Sequence, residues 1–542
     1  MFFFVQDHFT EHYKGGAELT TEALIEGGLF PCNKVLSSQL TPEVMKKYIN
    51  HFWIFGNFAN LSNKCLLYAI KNLSYSIIEY DYKYCNYRSP QKHVTAEGKC
   101  DCHEGSKGKL TSIFFNNAKA LWWMSKKQME IYQNLYPFLN NNKSRVLSSI
   151  FSDETLNFIS DLNTSKKNDK WIILNSPSWI KGVEEAVKHA SENDLEYELV
   201  WGLDYEDLLQ KLAVSRGVIF FPRAADTCPR LIIEAKLLGC ELILNDNVQH
   251  ADEEWFLNKD TINEYLRGRS SFFWDKIENI SYQETGIPFN TPAEEDIKFN
   301  IVVPFYNVEK WIRKCIKSLK KQKYSNFECT LINDISTDES LNIVKREVNG
   351  DSRFKVINNK EKKYALRNIA ESIRNSNCTD DEVIILLDGD DWFASSNTLN
   401  KLRDIYVKEE CFLTYGSYVF NPGGGKGPEP SQYPDDIIKA NSFRQDFWRA
   451  SHLRSFKHKL WKHIDARDMK DNNGEYYKMT YDQAIMLPLL ELAGEKSKYI
   501  PEILYVYNKE NPLNVDKIKT QEQVKTAREI RNKKSYKAIT KT

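Results

Sequence analysis

Short apolar runs recur along the chain, and most are followed by a stretch whose apolar positions return at helical spacing. In the first half the runs are Phe2–Val5, Phe52–Phe55, Ser76–Glu79, Trp171–Leu174, Tyr197–Trp201, Val218–Phe221 and Glu241–Leu244. Helical patterns such as Gly182–Ala190 and Leu231–Leu238 lie between them. Strands alternating with helices predict parallel sheets covered by helices, an α/β class. The second half opens on Phe299–Asn307, then a helix through Trp311, Ile312, Ile316 and Leu319. Cys329–Ile332 and Lys355–Ile357 read as further strands. Ser336 followed by Glu339 is a capping-box pair and predicts a helix start. Val383–Leu387 is a continuous apolar run, the mark of a strand buried on both faces, and it ends in Asp388-Gly389-Asp390-Asp391. Asn421–Pro428, rich in glycine, reads as a surface loop.

The rhythm breaks at Gly286–Asp296, a proline-containing acidic stretch that reads as a linker with its boundary near Pro292. The expected organisation is therefore an α/β region at 1–285, a linker at 286–297, a second α/β domain at 298–515 and a basic, exposed helical tail at 516–542. The polar run Asp161–Asp169 divides the first region into candidate lobes 1–165 and 166–285. A length of 542 residues suggests about three to four structural domains. Lys+Arg and Asp+Glu are both 74, so there is no polyelectrolyte character and nucleic-acid binding by bulk charge is not expected. No apolar stretch reaches the ~18 residues of a membrane span, and the N-terminus lacks the cationic start of a signal peptide. The expectation is a soluble cytoplasmic protein, at most peripherally associated with a membrane.

Three carboxylates at a buried strand tip repel one another unless a cation lies between them. Hard divalent ions take carboxylate oxygens. In an extended chain Asp388 and Asp390 point to one side and Asp391 to the other, and Gly389 lets a ligand approach the backbone. Ligands of open α/β sheets bind beyond the carboxyl ends of the strands. Tyr306 and Asn307, Asp334, and the acidic tip would line one such crevice. The basic, aromatic segment Phe443–His458 suits phosphate oxygens and sugar rings, or else is an amphipathic helix with a solvated face. Pro304 and Asn307 have a plainer reading as turn formers, and Asp338 as a helix-start residue.

Val302–Asn307, Asn333–Asp338, Ala365–Asn368 and Asp388–Asp391 resemble, in order, the motifs of glycosyltransferase family 2 over roughly Lys298 to Asn511. The resemblance implies a GT-A (nucleotide-diphospho-sugar transferase) fold, a nucleotide-sugar donor of UDP-sugar type, Mn2+ or Mg2+, and inversion at the anomeric carbon. It implies nucleotide-sugar contacts from Pro304, Tyr306, Asn307 and Asp334, and Arg367 near the nucleotide or diphosphate. Asp388 would meet ribose or metal, Asp390 the metal, and His452 the metal or the diphosphate. Asp482, at the start of an apolar helix, is the candidate general base, and its bland reading is a residue favoured by the helix dipole. Two positions depart from the family: Ile335 stands where glycine is usual, and Tyr481 where glutamate is usual.

In the first half, Phe220–Ala235 joins a strand to a helix, with Asp226 and Glu234 spaced like the Glu-x7-Glu region of glycosyltransferase family 4. Gly15-Gly16 and Ser176–Gly182 resemble that family's glycine loop and lysine-bearing donor loop. The resemblance implies a two-lobed, Rossmann-type GT-B fold, diphosphate contacts from Lys181 and Arg230, and a ribose contact from Glu234. Together the halves read as a bifunctional glycosyltransferase of glycan or polysaccharide synthesis, acting on a glycan, lipid-linked or protein acceptor. One alternative makes the first half a non-catalytic sugar- or partner-binding module. Another, a sugar nucleotidylyltransferase, would want a glycine-rich phosphate loop where Pro304-Phe305-Tyr306-Asn307 stands. Cys85, His93, Cys100, Cys102 and His103 are either a zinc-binding group or a loop with scattered thiols. Cys65, Cys240, Cys315 and Cys329 read as core residues.

Overall fold

A computed structural model describes residues 2–163, 166–258, 261–284, 296–513 and 520–539. It divides into two compact units, the first essentially the chain up to Ile287 and the second Pro288–Thr542 with a short early segment. The expected linker lies almost wholly outside the described residues.

The first unit holds two parallel sheets. Strands β1 (Phe2–Gln6), β2 (Cys32–Leu36), β3 (Phe52–Phe55), β4 (Ser74–Glu79), β5 (Ala120–Trp123) and β6 (Ser144–Val146) form one, in the order β2-β1-β3-β4-β5-β6. Strands β7 (Trp171–Leu174), β8 (Tyr197–Val200), β9 (Gly217–Phe220) and β10 (Glu241–Leu244) form the other, ordered β10-β9-β7-β8. All seven runs expected to be strands here are strands. The chain passes from one sheet to the other across the polar run after helix Asp153–Leu162. The central strands are buried on both faces, as Phe52–Phe55 and Ala120–Trp123 show. That is why their sequences are continuously apolar rather than alternating. Helix Ile262–Glu284 returns to the first sheet, where the Trp274 indole donates to Leu24 O at 2.7 Å.

The second unit is built on one mixed sheet. Strands β11 (Phe299–Phe305), β12 (Phe327–Asn333), β13 (Phe354–Asn358) and β14 (Val383–Leu386) are parallel, and β11 lies between β12 and β14. Strands β15 (Trp392–Phe393), β16 (Leu413–Asn421), β17 (Arg454–Lys457) and β18 (Ser497–Asn508) complete the order β13-β12-β11-β14-β17-β16-β18-β15. The β17 strand runs antiparallel to β14 and so brings the start of the basic, aromatic segment's last strand beside the acidic tip. Two apolar layers cover the sheet faces, one around Ile301, Val303 and Ile385, the other around Val302, Ile384 and the helix Tyr481–Ala493.

Two local expectations are corrected. The helix expected from Ser336 begins at Ser340, because the Ser336 hydroxyl instead accepts from the Asn307 N–H at 3.1 Å. Asp338 is the helix-start residue expected of it, accepting from the Ser340 N–H at 3.0 Å. The tail is not simply exposed. Its helix Thr520–Arg531 buries Ile530, and the Arg531 guanidinium donates to the carbonyls of Arg444 and Asp446 at 2.8 and 2.7 Å.

Candidate active site

The carboxyl ends of β11, β12 and β14 open into a cleft of about 350 Å³. It is lined by Pro304 and Tyr306 after β11, Asp334 after β12, the acidic tip after β14, and His452, Arg454 and Asp482 from across the sheet. Topology explains this convergence. Parallel strands end on one edge, and the antiparallel β17 starts there.

Strand β14 stops at Leu386, and the chain then turns, with the Asp391 N–H donating to Asp388 O at 3.0 Å. An extended chain was the wrong premise for the acids. The turn folds Asp391 back towards Asp388, and a ligand atom of each lies with one of His452 inside a group no wider than 4.8 Å. Asp390, the expected metal ligand, is outside that group. It lines the cleft and accepts from the Asn511 amide at 2.8 Å. Asp391 is buried and anchors the turn to β18, accepting from the Tyr505 hydroxyl at 2.6 Å and the Asn508 N–H at 2.7 Å.

The three carboxyls differ in acidity. Burial works to raise Asp388, but His452, the Arg454 charge and the Tyr481 hydroxyl outweigh it and hold Asp388 below the ordinary range. Burial, with Asp388 repulsion, pushes Asp390 up to about 6. Burial and its two acidic neighbours push Asp391 well above the ordinary value. Burial and mutual repulsion thus oppose ionising all three carboxyls together. The cleft holds five carboxyls, Asp334, Asp388, Asp390, Asp391 and Asp482, against the cationic Lys362, Arg454 and Lys478. The Asp388 and Asp391 carboxylates fit a hard divalent ion such as Mn2+ or Mg2+, with further positions left for phosphate oxygens, and His452 stands beside them.

His452 is buried and is driven down to about 4 by burial and by Arg454, so its imidazole is neutral. Arg454 donates to its Nε2 at 2.5 Å, which places the ring proton on Nδ1, facing the Ser451 hydroxyl at 3.1 Å. Arg454 is itself buried, and Asp482, Tyr481 and Asp388 raise its pKa against the burial cost.

Asp334 lies in the cleft wall but is heavily engaged. Its carboxylate accepts from the N–H groups of Lys363 and Tyr364 at 2.8 and 2.9 Å and from the Asn359 amide at 3.0 Å. It therefore fixes the loop that carries Lys362, whose ammonium lies 3.4 Å from Asp334 Oδ2 and over the Tyr306 ring. Two expected contacts are corrected. Arg367 is not among the cleft residues, because its guanidinium is held by Glu371 at 2.8 Å and Glu361 at 2.9 Å. Asn307 is likewise not among the cleft residues, its side-chain carbonyl accepting the Thr337 N–H at 2.8 Å. Its φ of 50° shows it shaping the turn, the plainer reading of this residue.

Tyr481 and Ile335 explain themselves locally. The Tyr481 hydroxyl donates to Asp388 Oδ1 at 2.5 Å, so the residue that departs from the family pattern orients an acid of the site. Ile335 adopts φ 63°, the left-handed backbone that glycine takes without strain. Lys362, Lys478 and Asn511 are cleft residues that sequence reasoning missed. Lys362, six residues before the Asn368 that closes the Ala365–Asn368 motif, carried a signal only through that proximity.

In the first unit Gly15 precedes helix Gly16–Gly27, and a side chain at Gly16 would meet Arg230 at 3.7 Å. Arg230 and Glu234 are both buried and face each other at 3.3 Å, with the Tyr205 hydroxyl donating to Glu234 at 2.7 Å. Glu234 is therefore not an exposed helix residue. Lys181 is paired with Asp226 at 2.5 Å.

Comparison with known proteins bears on the second unit. A relative in Streptococcus pneumoniae serotype 4, glycosyltransferase GlyA, is 33% identical over 221 residues, covering 39% of this chain and 30% of the relative. The uncharacterized glycosyltransferase EpsJ of Bacillus subtilis is 25% identical over 225 residues, covering 40% of this chain and 63% of the relative. The chain thus spans from under a third to under two thirds of the length of these relatives. A solved structure of Staphylococcus aureus TarS 1–349 in complex with UDP-GlcNAc is 19% identical, covering 40% of this chain and 59% of that one at a TM-score of 0.32, a likeness too loose to carry argument. The family model described as glycosyl transferase family 2 matches residues 300–465. The second unit therefore carries a glycosyltransferase family 2 domain at residues 300–465.

Proposed function

We propose that the second unit transfers a sugar from a nucleotide-sugar, of UDP-sugar type, to an acceptor hydroxyl with inversion, and that the reaction depends on a divalent cation. The observation that carries this reading is the cleft itself, where Asp388, Asp391, His452 and Asp482 line one wall-to-wall site at the carboxyl edge of the sheet. Asp388 and Asp391 would hold Mn2+ or Mg2+, with His452 joining them only once Arg454 leaves its Nε2 for a phosphate oxygen; the ion supplies Lewis-acid neutralisation of the charge on a departing diphosphate. Lys362, Lys478 and Arg454 are the side chains suited to the remaining phosphate oxygens. Tyr306, 39% exposed, offers an aromatic face to the nucleoside.

Inversion requires a base opposite the leaving group. Asp482 is the candidate for it, in the first turn of helix Tyr481–Ala493, where it lines the cleft. The acceptor hydroxyl gives its proton to Asp482 as its oxygen attacks the anomeric carbon and the sugar–phosphate bond breaks. The acceptor class is a glycan, a lipid-linked glycan or a protein.

For the first unit, two readings stand: a second, GT-B-like transferase, which would make the chain bifunctional, and a non-catalytic binding module. The mutual engagement of Arg230, Glu234 and Tyr205 favours the second, since the groups wanted for diphosphate and ribose already satisfy each other. A screen of UDP-, GDP- and dTDP-sugars for donor turnover, with and without Mn2+, tests the first part. Metal-dependent turnover of one nucleotide class, abolished in Asp388→Ala, is the expected outcome. Turnover by a sugar nucleotidylyltransferase would instead release pyrophosphate from a nucleoside triphosphate.

A further inference from the structure

The long loop between β4 and helix Ser106–Asn117 carries a second cluster of ligand-type side chains. Cys85, His93, Cys100 and Cys102 each bring one ligand atom into a group no wider than 4.8 Å. Cys85 Sγ lies 3.7 Å from Cys100 Sγ and 3.6 Å from His93 Nδ1, and Cys102 Sγ lies 3.3 Å from the same nitrogen. Tetrahedral zinc, with sulfur at about 2.3 Å and nitrogen at about 2.0 Å, sets its ligand atoms roughly 3.5–3.8 Å apart. The separations found, 3.3, 3.6 and 3.7 Å, are close to those of such a centre. They are far longer than the ~2.05 Å of a disulfide, and all these cysteines are free thiols.

The surroundings are those of a metal-bound histidine. His93 Nε2 lies 2.8 Å from Glu97 Oε2, and Tyr87 stacks on the ring while its hydroxyl donates to Glu97 Oε1 at 2.8 Å. A carboxylate on the far nitrogen keeps the proton on Nε2 and turns the Nδ1 lone pair to the thiols. The Asn86 N–H points at Cys102 Sγ at 3.5 Å, a donor suited to a thiolate. Cys85, His93 and Cys102 are buried.

We propose that Cys85, His93, Cys100 and Cys102 bind one zinc ion in a closed, structural site of the first unit. Binding converts three thiols to thiolates and releases three protons, leaving a centre of one net negative charge. Four protein ligands leave no open position, which separates this site from a catalytic one. His103, grouped with these residues by sequence, is not part of the cluster, and its imidazole lies 3.7 Å from Glu104. The site gives the loop a nucleus that its one short helix, Pro90–Glu97, does not supply. Cys85 also opens a turn whose last residue, Arg88, reaches Asp7 at 3.4 Å and Asn57 at 2.7 Å, beyond the ends of β1 and β3. Zinc would thereby hold Arg88 at the carboxyl edge of the first sheet.

The test uses the full chain, purified under reducing conditions and dialysed against metal-free buffer, with metal measured by plasma mass spectrometry. One zinc per chain is expected. Exchange with Co2+ should give thiolate-to-cobalt charge transfer and the strong visible bands of tetrahedral cobalt. His93→Ala/Cys100→Ser should lose the zinc, while His103→Ala and Asp388→Ala keep it. A chelator should lower the melting temperature of the unmutated protein, a readout that survives if the double variant fails to fold. Reduced protein that takes up neither zinc nor cobalt, a Cys85–Cys100 disulfide in place of the metal, or zinc retained by the double variant overturns the proposal.

Discussion

Asp388 and Asp390 stand two residues apart yet shift in opposite directions, and the difference has a measurable consequence. Asp390 rises to about 6, so it is protonated below that pH and charged above it. Proton and cation compete for the site, so Mn2+ affinity should increase as pH rises through about 6. The metal-free protein should behave conversely. A carboxyl raised by folding makes stability fall as pH rises from the ordinary carboxylate value towards 6. Calorimetric Mn2+ titrations at several pH values, compared with Asp390→Asn, check this, and the variant should show the flatter profile. Asp482→Asn removes the proposed base and should lower kcat by about 10²- to 10⁴-fold with little change in donor KM, as steady-state kinetics would show. Ile335 holds a left-handed backbone while 36% exposed, so it has strain to release and little packing to lose. Ile335→Gly should stabilise the fold by about 1 kcal/mol, read as a shift in the urea midpoint.

Among the elements, the tail helix is the one whose contribution sequence misjudged. Ile530→Ala should cost about 2–4 kcal/mol if the helix Thr520–Arg531 is docked as described, and almost nothing if it is a solvated tail. Denaturant unfolding distinguishes the two. The misjudgement has a physical origin: a largely polar helix with few apolar positions looks solvated until its partner, Arg444 with the buried Glu491, is known. Strands β11 and β14 were legible because burial on both faces demands largely unbroken apolar runs. Strands β16 and β18 were not, since their tyrosines and polar residues pair across the sheet and break the pattern. In the cleft, the acidic cluster and the proximity of His452 were readable from residue type and order. Which acids converge was not, because the answer depends on where β14 ends. Arg367 and Asn307 fail as cleft residues for the same reason, their side chains being claimed by neighbours that residue order does not reveal.

At the scale of the whole molecule, two α/β units share one chain, and the family match lies within the second. Among the described residues no helix is long and apolar enough to cross a membrane. If the first unit binds rather than catalyses, Lys181→Ala with Glu234→Gln should leave the set of transfer products unchanged, as mass spectrometry of acceptor products would show. Loss of one product would restore the bifunctional reading. The most direct test of the account remains donor turnover by the full chain with and without Mn2+, in the unmutated protein and in Asp388→Ala. Turnover of one nucleotide-sugar class that requires the ion and disappears in the variant is the predicted result. Turnover that persists without metal and survives the substitution would contradict it.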